Sequence, residues 1–228
     1  MASTPAASVG AEHGQRGALA SELPASGPAL PFVPTSVYGT TVNARERLIA
    51  SAQELLWQRG YSGTSPRMIQ DHAAAGQGSM YHHFAGKADL AAAALSRTAD
   101  VERGRADALL SEPGTALERV VGYLTREREV LRGCPIGRHA HDSEVVADPI
   151  LRAPIEETFT WLRDRIRQVL EQGQSDEQVR ADLDVEGVAA AVVAIIQGGY
   201  VLARASASSD PFDQAVEGAV QLVSAIGV

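Results

Sequence analysis

Four residues in "GCPIGRHAHD", residues 133–142, could do chemistry. Cys134, His139, His141 and Asp142 are all metal-competent, and a thiol near imidazoles could serve as nucleophile and base. The spacing supports neither use well. C-x4-H-x-H-D matches no common zinc pattern, and two histidines two apart on a helix face away from each other. Redox sensing by Cys134 would need a depressed pKa, for which Arg132 and Arg138 supply nearby cations. The preferred reading is a bend at Cys134-Pro135 followed by a short helix lining a core. An enzyme, or a metal- or redox-sensing protein built on Cys134, His139, His141 and Asp142, is the alternative.

A second concentration is "TSPRMIQDHAAAGQGSMYHHFAGKADL", residues 64–90, which holds three of the six histidines and the only lysine. Its groups suit contact with something outside the protein. Gln77 and Ser79 can reach base edges or phosphate oxygens, Gly78 lets a backbone approach closely, and Tyr81 and His82 have polar tips that donate to phosphates. Lys87 would add its ammonium to the positive end of the helix it opens. His83 precedes an anchoring Phe84 and reads as support for its helix, and His72 as structural or solvent-facing.

The charge balance fits a small placed footprint and excludes a general polycation binder. The formal net charge of −8 divides into −1 for residues 1–40, +2 for residues 41–98 and −9 for residues 99–228. The only net-positive block is the one holding this stretch. A single cysteine excludes an intrachain disulfide. The first residues lack the basic and apolar regions of a secretory signal, and no run of about 18 apolar residues is present to span a bilayer. A soluble cytoplasmic protein is expected.

The elements that must position these residues read as helices throughout. Residues 1–40, rich in Ala, Ser, Gly and Pro, are expected to form a disordered tail. Leu48, Ala52, Leu55 and Leu56 share one helical face over residues 44–59, with Asn43 and Glu46 as a capping box and Gly60 as the stop. Ser65 can cap a helix opened by Pro66. "AAAG" then turns into a second short helix over residues 77–84, anchored by Met80 and Phe84, and a long helix follows over residues 87–109. Further helices are expected over residues 115–131, 149–171, 185–204 and 211–226. The fourth-from-last boundary is followed by a break at "RGCPIG". The helix over 185–204 is apolar on nearly all sides, which requires burial on more than one face. Its Gly198 and Gly199 cost about 1 kcal/mol each against Ala, which close helix approach could offset. Tyr123, Phe159, Trp161 and Tyr200, with Cys134, are candidates to line a ligand pocket, although large aromatics are usually core.

Two short helices joined by a tight turn have the geometry of a helix-turn-helix. The run "RERLIASAQELLWQRGYSGTSPRMIQDHAAAGQGSMYHHFAGKADL", residues 45–90, resembles the N-terminal domain of the tetracycline-repressor (TetR) family of bacterial transcription regulators. "GSMYHHFAGKADL" carries most of that likeness. A Gly-Cys stretch near residue 134 resembles the LmrA/YxaF-like branch. The resemblance implies DNA contacts from Thr64, Ser65, Gln77, Gly78, Ser79, Tyr81, His82 and Lys87. It also implies a homodimer joined through its last two helices, double-stranded operator DNA and a small-molecule effector as partners, and no cofactor. Two positions depart from the family: Ala74 stands where Gly is usual in the turn, at a cost of roughly 1 kcal/mol if its φ is positive, and Gly76 stands where Ser or Thr often caps. The expected architecture is all-α: a three-helix helix-turn-helix domain over residues 41–90 and a helical effector-binding and dimerisation domain over residues 91–228.

Overall fold

A computed structural model describes residues 43–228; the tail expected over residues 1–40 lies outside the described residues. The described residues are all helical, as their periodicity requires. The helices are α1 (Ala44–Arg59), α2 (Pro66–His72), α3 (Gln77–His83), α4 (Lys87–Leu110), α5 (Ala116–Thr125), α6 (Ser143–Ala147), α7 (Pro149–Ser175), α8 (Val185–Ser206) and α9 (Asp210–Ser224), with 3-10 turns at Val130–Arg132 and Gly137–His141. Among the described residues the one β feature is a single bridge between Val179 and Gly227.

Local chemistry sets the helix ends. Asn43 caps α1 through Arg45 N, but Glu46 pairs with Arg97 at 2.7 Å rather than closing a capping box. The box forms instead at Thr115 and Glu118, at the start of α5. That helix ends at Thr125, short of the expected residue 131. The Arg128 guanidinium folds back and donates to the carbonyls of Tyr123, Leu124 and Arg126 at 2.6, 2.8 and 2.7 Å, satisfying the groups a continuing helix would have used. At the other end of α1, Gly60 takes φ +76 and donates to Leu56 O, a conformation that favours glycine.

Two apolar clusters hold the chain together, and α4 runs through both. Its first half gives Leu90, Ala94 and Leu95 to a cluster with Leu48, Leu56, Ile69 and Met80, while Leu110 at its end joins Val120, Ile166, Val192 and Phe212. The first cluster also takes Ile136, Val145, Leu151 and Ile155 from much later in the chain, so α1–α3 are seated on the segment after α5. Cys134 and Phe159 pack against both clusters. A filled core of this kind has no slack for a displaced element, so movement of α4 or of the segment near Cys134 is felt at both ends.

α8 packs between α7 and α9. A Cβ on Gly199 would stand 2.9 Å from the Phe212 ring, so this glycine permits the close approach of α8 and α9. Gly198 meets nothing within 4 Å. By length and composition α8 is long and apolar enough to cross a bilayer, a test that the core helix of a soluble protein also passes. Its face with Val192, Ile196 and Tyr200 is buried in the protomer, while Val201 and Leu202 are 51% and 55% exposed.

Candidate nucleic-acid interface and effector cavity

Helices α2 and α3 form a small rigid unit. Ser65 Oγ accepts from Met68 N at 3.2 Å, and Pro66 occupies the first helical turn. In the connection, Ala74 takes φ +48, so the turn keeps its left-handed residue without glycine. Ala75 N donates to Gln70 O at 2.9 Å, and Arg47 Nε reaches from α1 to Ala73 O at 3.1 Å. The buried Gln70 amide donates to Met80 Sδ at 3.2 Å, tying α2 to α3. Met80 and Phe84 are buried, as their spacing requires.

With that side fixed inward, the opposite side of α3 is left open. Gln77, Gly78 and His82 are exposed and Tyr81 is 55% exposed, while Ser79 is half-buried. A Cβ on Gly78 would meet nothing within 4 Å, so no internal packing demands glycine there. Ser65 is exposed, and its hydroxyl proton remains free while its lone pair caps α2. Lys87 opens α4, its Nζ 3.8 Å from the centre of the Tyr61 ring, which holds the ammonium at the edge of this face. Asp89 in the first turn of α4 ties down the approach to the helix, accepting from Ala85 N at 2.9 Å. His72 is exposed and His83 half-buried.

Thr64 is the exception. It is 1% exposed, and its hydroxyl lies 2.7 Å from Gly60 O and 3.3 Å from Leu55 O. The side chain therefore braces the end of α1 and is turned away from the face expected to meet DNA. Sequence spacing alone could not separate it from Ser65, its exposed neighbour.

The Cys134, His139, His141 and Asp142 constellation does not assemble. Among the described residues no group of three His, Cys, Asp or Glu could hold a metal. Burial pushes the Cys134 thiol up, and its sulfur accepts from Gly137 N at 3.1 Å, which leaves no activated nucleophile and opposes a redox role. His139 is 2% exposed and held neutral at about 4 by burial and by Arg138, and its Nδ1 has no partner. His141 is exposed. Asp142 caps α6 and accepts from Ser62 N at 2.9 Å and Ser62 Oγ at 2.8 Å.

Cys134, His141 and Asp142 do something else: they wall a cavity of about 780 Å³. Cys134, Phe159 and Tyr200 of the expected pocket residues line it, and all five, with Tyr123 and Trp161, line an adjoining cleft of about 30 Å³. Burial pushes the phenols of Tyr123 and Tyr200 up, so both are neutral donors at the cleft. Sequence reading missed Arg59, Ser62, Gln197 and Arg204, which reach the cavity from α1, the loop after it and α8. No signal in the chain marks them, because they come together only in the fold.

The segment walling the cavity is also bonded to α1. Arg132 pairs with Glu54 at 2.6 Å and stacks over the Trp57 ring at 3.6 Å. Trp57 and Ser62 complete the connection through Gly133 and Asp142. The cavity thus shares a wall with the supports of the α2–α3 unit.

Two family models match successive parts of the chain. Residues 48–94 match the family described as "Bacterial regulatory proteins, tetR family", and residues 114–219 match "Tetracyclin repressor-like, C-terminal domain". The transcriptional repressor KstR2 of Mycobacterium tuberculosis is 29% identical over 158 residues, 66% of this chain and 76% of that protein. The transcriptional regulator LmrA of Bacillus subtilis is 26% identical over 176 residues, 74% of this chain and 90% of that protein. A crystal structure of a regulator from Cytophaga hutchinsonii superposes with a TM-score of 0.72 at 21% identity, covering 85% of this chain and 99% of the other. The KstR2 and LmrA identities are too close to single out one branch.

Proposed function

We propose that this chain is a DNA-binding member of the TetR family of transcriptional regulators, a homodimeric repressor that leaves a palindromic operator when a small molecule fills its cavity. The observation that carries this reading is the α3 surface. Gln77, Gly78, Tyr81 and His82 stand free on one side of a short helix whose other side is pinned by Met80 and Phe84. Such a helix can enter a major groove with its first residues at the base edges. Ser65, Ser79 and Lys87 border it and would take phosphates. Residues 41–90 would form the DNA-binding domain and residues 91–228 the effector-binding and dimerisation domain, within a cytoplasmic protein. KstR2 is described as a repressor, which supports that sign of regulation. A place in the LmrA/YxaF-like branch rests only on the Gly133-Cys134 corner and the likeness to LmrA.

Release requires the effector to bind the DNA-incompetent form better, by several kcal/mol for a near-complete switch. Cys134, Phe159 and Tyr200 would contact the effector in the wide cavity, with Tyr123 and Trp161 at the inner cleft. The shared wall with α1, together with α4, would carry the change to α3.

Fluorescence anisotropy against DNA flanking the protein's own gene, followed by selection from random DNA, tests the operator reading. Saturable, sequence-selective binding that weakens with salt is expected, with losses in Tyr81→Ala and Lys87→Ala. Failure of both the flanking DNA and the selection to bind would remove it.

A further inference from the structure

The wide cavity carries more positive charge than its walls neutralise. Arg59, Arg138 and Arg204 line it, and Asp142 supplies the one carboxylate among its lining residues. That carboxylate is already engaged, by Ser62 N at 2.9 Å, Ser62 Oγ at 2.8 Å and Glu144 N at 3.2 Å. Among the described residues Arg59, Arg138 and Arg204 have no carboxylate in ion-pair range, whereas neighbouring Arg132 pairs with Glu54. Arg138 is half-buried, and burial together with the charges of Arg204 and Arg132 pulls its guanidinium below the ordinary value. Arg204 lies close over Gly133, where a Cβ would meet its Cδ and a terminal nitrogen at 3.3 Å. A like-charged pair held this way, with no carboxylate among the described residues to offset it, is arranged for an anion.

The geometry points to an acidic small molecule as the occupant, its carboxylate or phosphate held by Arg138 and Arg204 and its apolar body lying along Phe159 and Tyr200. This deepens the effector reading given above and rests on it. The apolar end is set by residues shared between the wide cavity and the inner cleft, Cys134, Phe159 and Tyr200 among them. A cationic molecule of the same shape would meet guanidinium charge that no free carboxylate in the cavity lining offsets, and a neutral one would leave the repulsion unrelieved. The two arginines reach the cavity from different elements, the 3-10 turn and α8, so one anion would draw together the segment bonded to α1 and the helix with an exposed apolar edge.

The test uses the full chain without DNA. Isothermal titration and thermal unfolding would compare benzoate, 2-naphthoate, 4-phenylbutyrate and decanoate with their amides, and phenyl phosphate with phenol. At least one acid should bind about tenfold tighter than its neutral partner and raise the unfolding midpoint, as a charge-assisted hydrogen bond predicts. A phosphate preferred over the carboxylates would assign the anion as a phosphoryl group. Arg204→Gln, at an exposed position, and Arg138→Gln should each bring acid and neutral affinities within about twofold. Both variants should unfold no earlier than the parent when ligand-free, because each relieves repulsion. Equal binding of acids and amides would keep an effector cavity but overturn an acidic effector. A preference surviving both substitutions, or no binding by any acid, would overturn it as well. Operator binding is measured separately, so failure of the DNA reading is told apart from failure of this one.

Discussion

The indole N–H of Trp57 donates to the carbonyl oxygen of Gly133 at 2.9 Å, across 76 residues of sequence. Gly133 takes φ +85 to present that carbonyl, and Arg204 of α8 lies against its other side. The loop is therefore held between the first helix and the cavity, and the bond is one of the few fixed points between them. Trp57→Phe keeps the ring under Arg132 but removes the donor. It should cost about 1 kcal/mol in urea unfolding, the net value of a partly buried hydrogen bond. A midpoint equal to that of the parent would mean water replaces the donor and the loop is held by the Glu54–Arg132 pair alone.

Ala74 makes the turn between α2 and α3 with φ +48, a region an L side chain enters at a cost. Ala74→Gly removes that cost but adds chain entropy to the unfolded state, leaving a net gain of about 0.5 kcal/mol. Thermal unfolding should shift up by about 1–2 °C. A downward shift would show that the turn is not strained at this residue.

Most helices, and the inward anchors of α3, were legible because apolar spacing and caps act locally: Leu48, Leu55 and Leu56 on α1, Ser65 with Pro66 at α2, Met80 with Phe84 on α3. The misplaced end of α5 has a specific cause. Arg128 caps it by folding back, and a long flexible side chain announces no such geometry in sequence. Thr64 and Ser65 look alike as a "TS" pair, yet one braces α1 and the other is exposed. The cavity was half legible. Its aromatic wall stood out as large residues, whereas Arg59 and Arg204 lie 145 positions apart and meet only through the seating of α1 on the segment after α5.

Val201 and Leu202 on α8 and Leu222 on α9 are 51%, 55% and 64% exposed, an apolar edge that a second copy would cover in the proposed homodimer. Leu222→Arg places a charge there without touching the protomer core, where an exposed substitution costs within about 0.5 kcal/mol. Burying that charge twice at a two-fold interface is far more costly. Sedimentation should find the parent dimeric and the variant monomeric at the same concentration, with unchanged helical content. A dimeric variant would place the interface elsewhere.

His139 gives the ligand-free protein an acid-sensitive support. Burial first, then the charge of Arg138, holds its imidazole at about 4 against an ordinary 6.5, with Asp142 acting in the opposite direction. The folded value lies below the unfolded one, so between the two the unfolded chain takes up a proton that the folded chain refuses. The stability that His139 contributes is complete above pH 6.5 and is lost as pH falls through about 4. In full the loss is on the order of 3 kcal/mol, reduced by whatever water reaches the buried Nδ1. His139→Gln carries no such proton. Urea midpoints taken from pH 7.5 down to 4.5 should therefore fall more steeply for the parent than for the variant, by up to one proton's slope near pH 5. Parallel curves would mean that the imidazole is protonated in the folded state, with Asp142 turned toward it and the Ser62 contact given up.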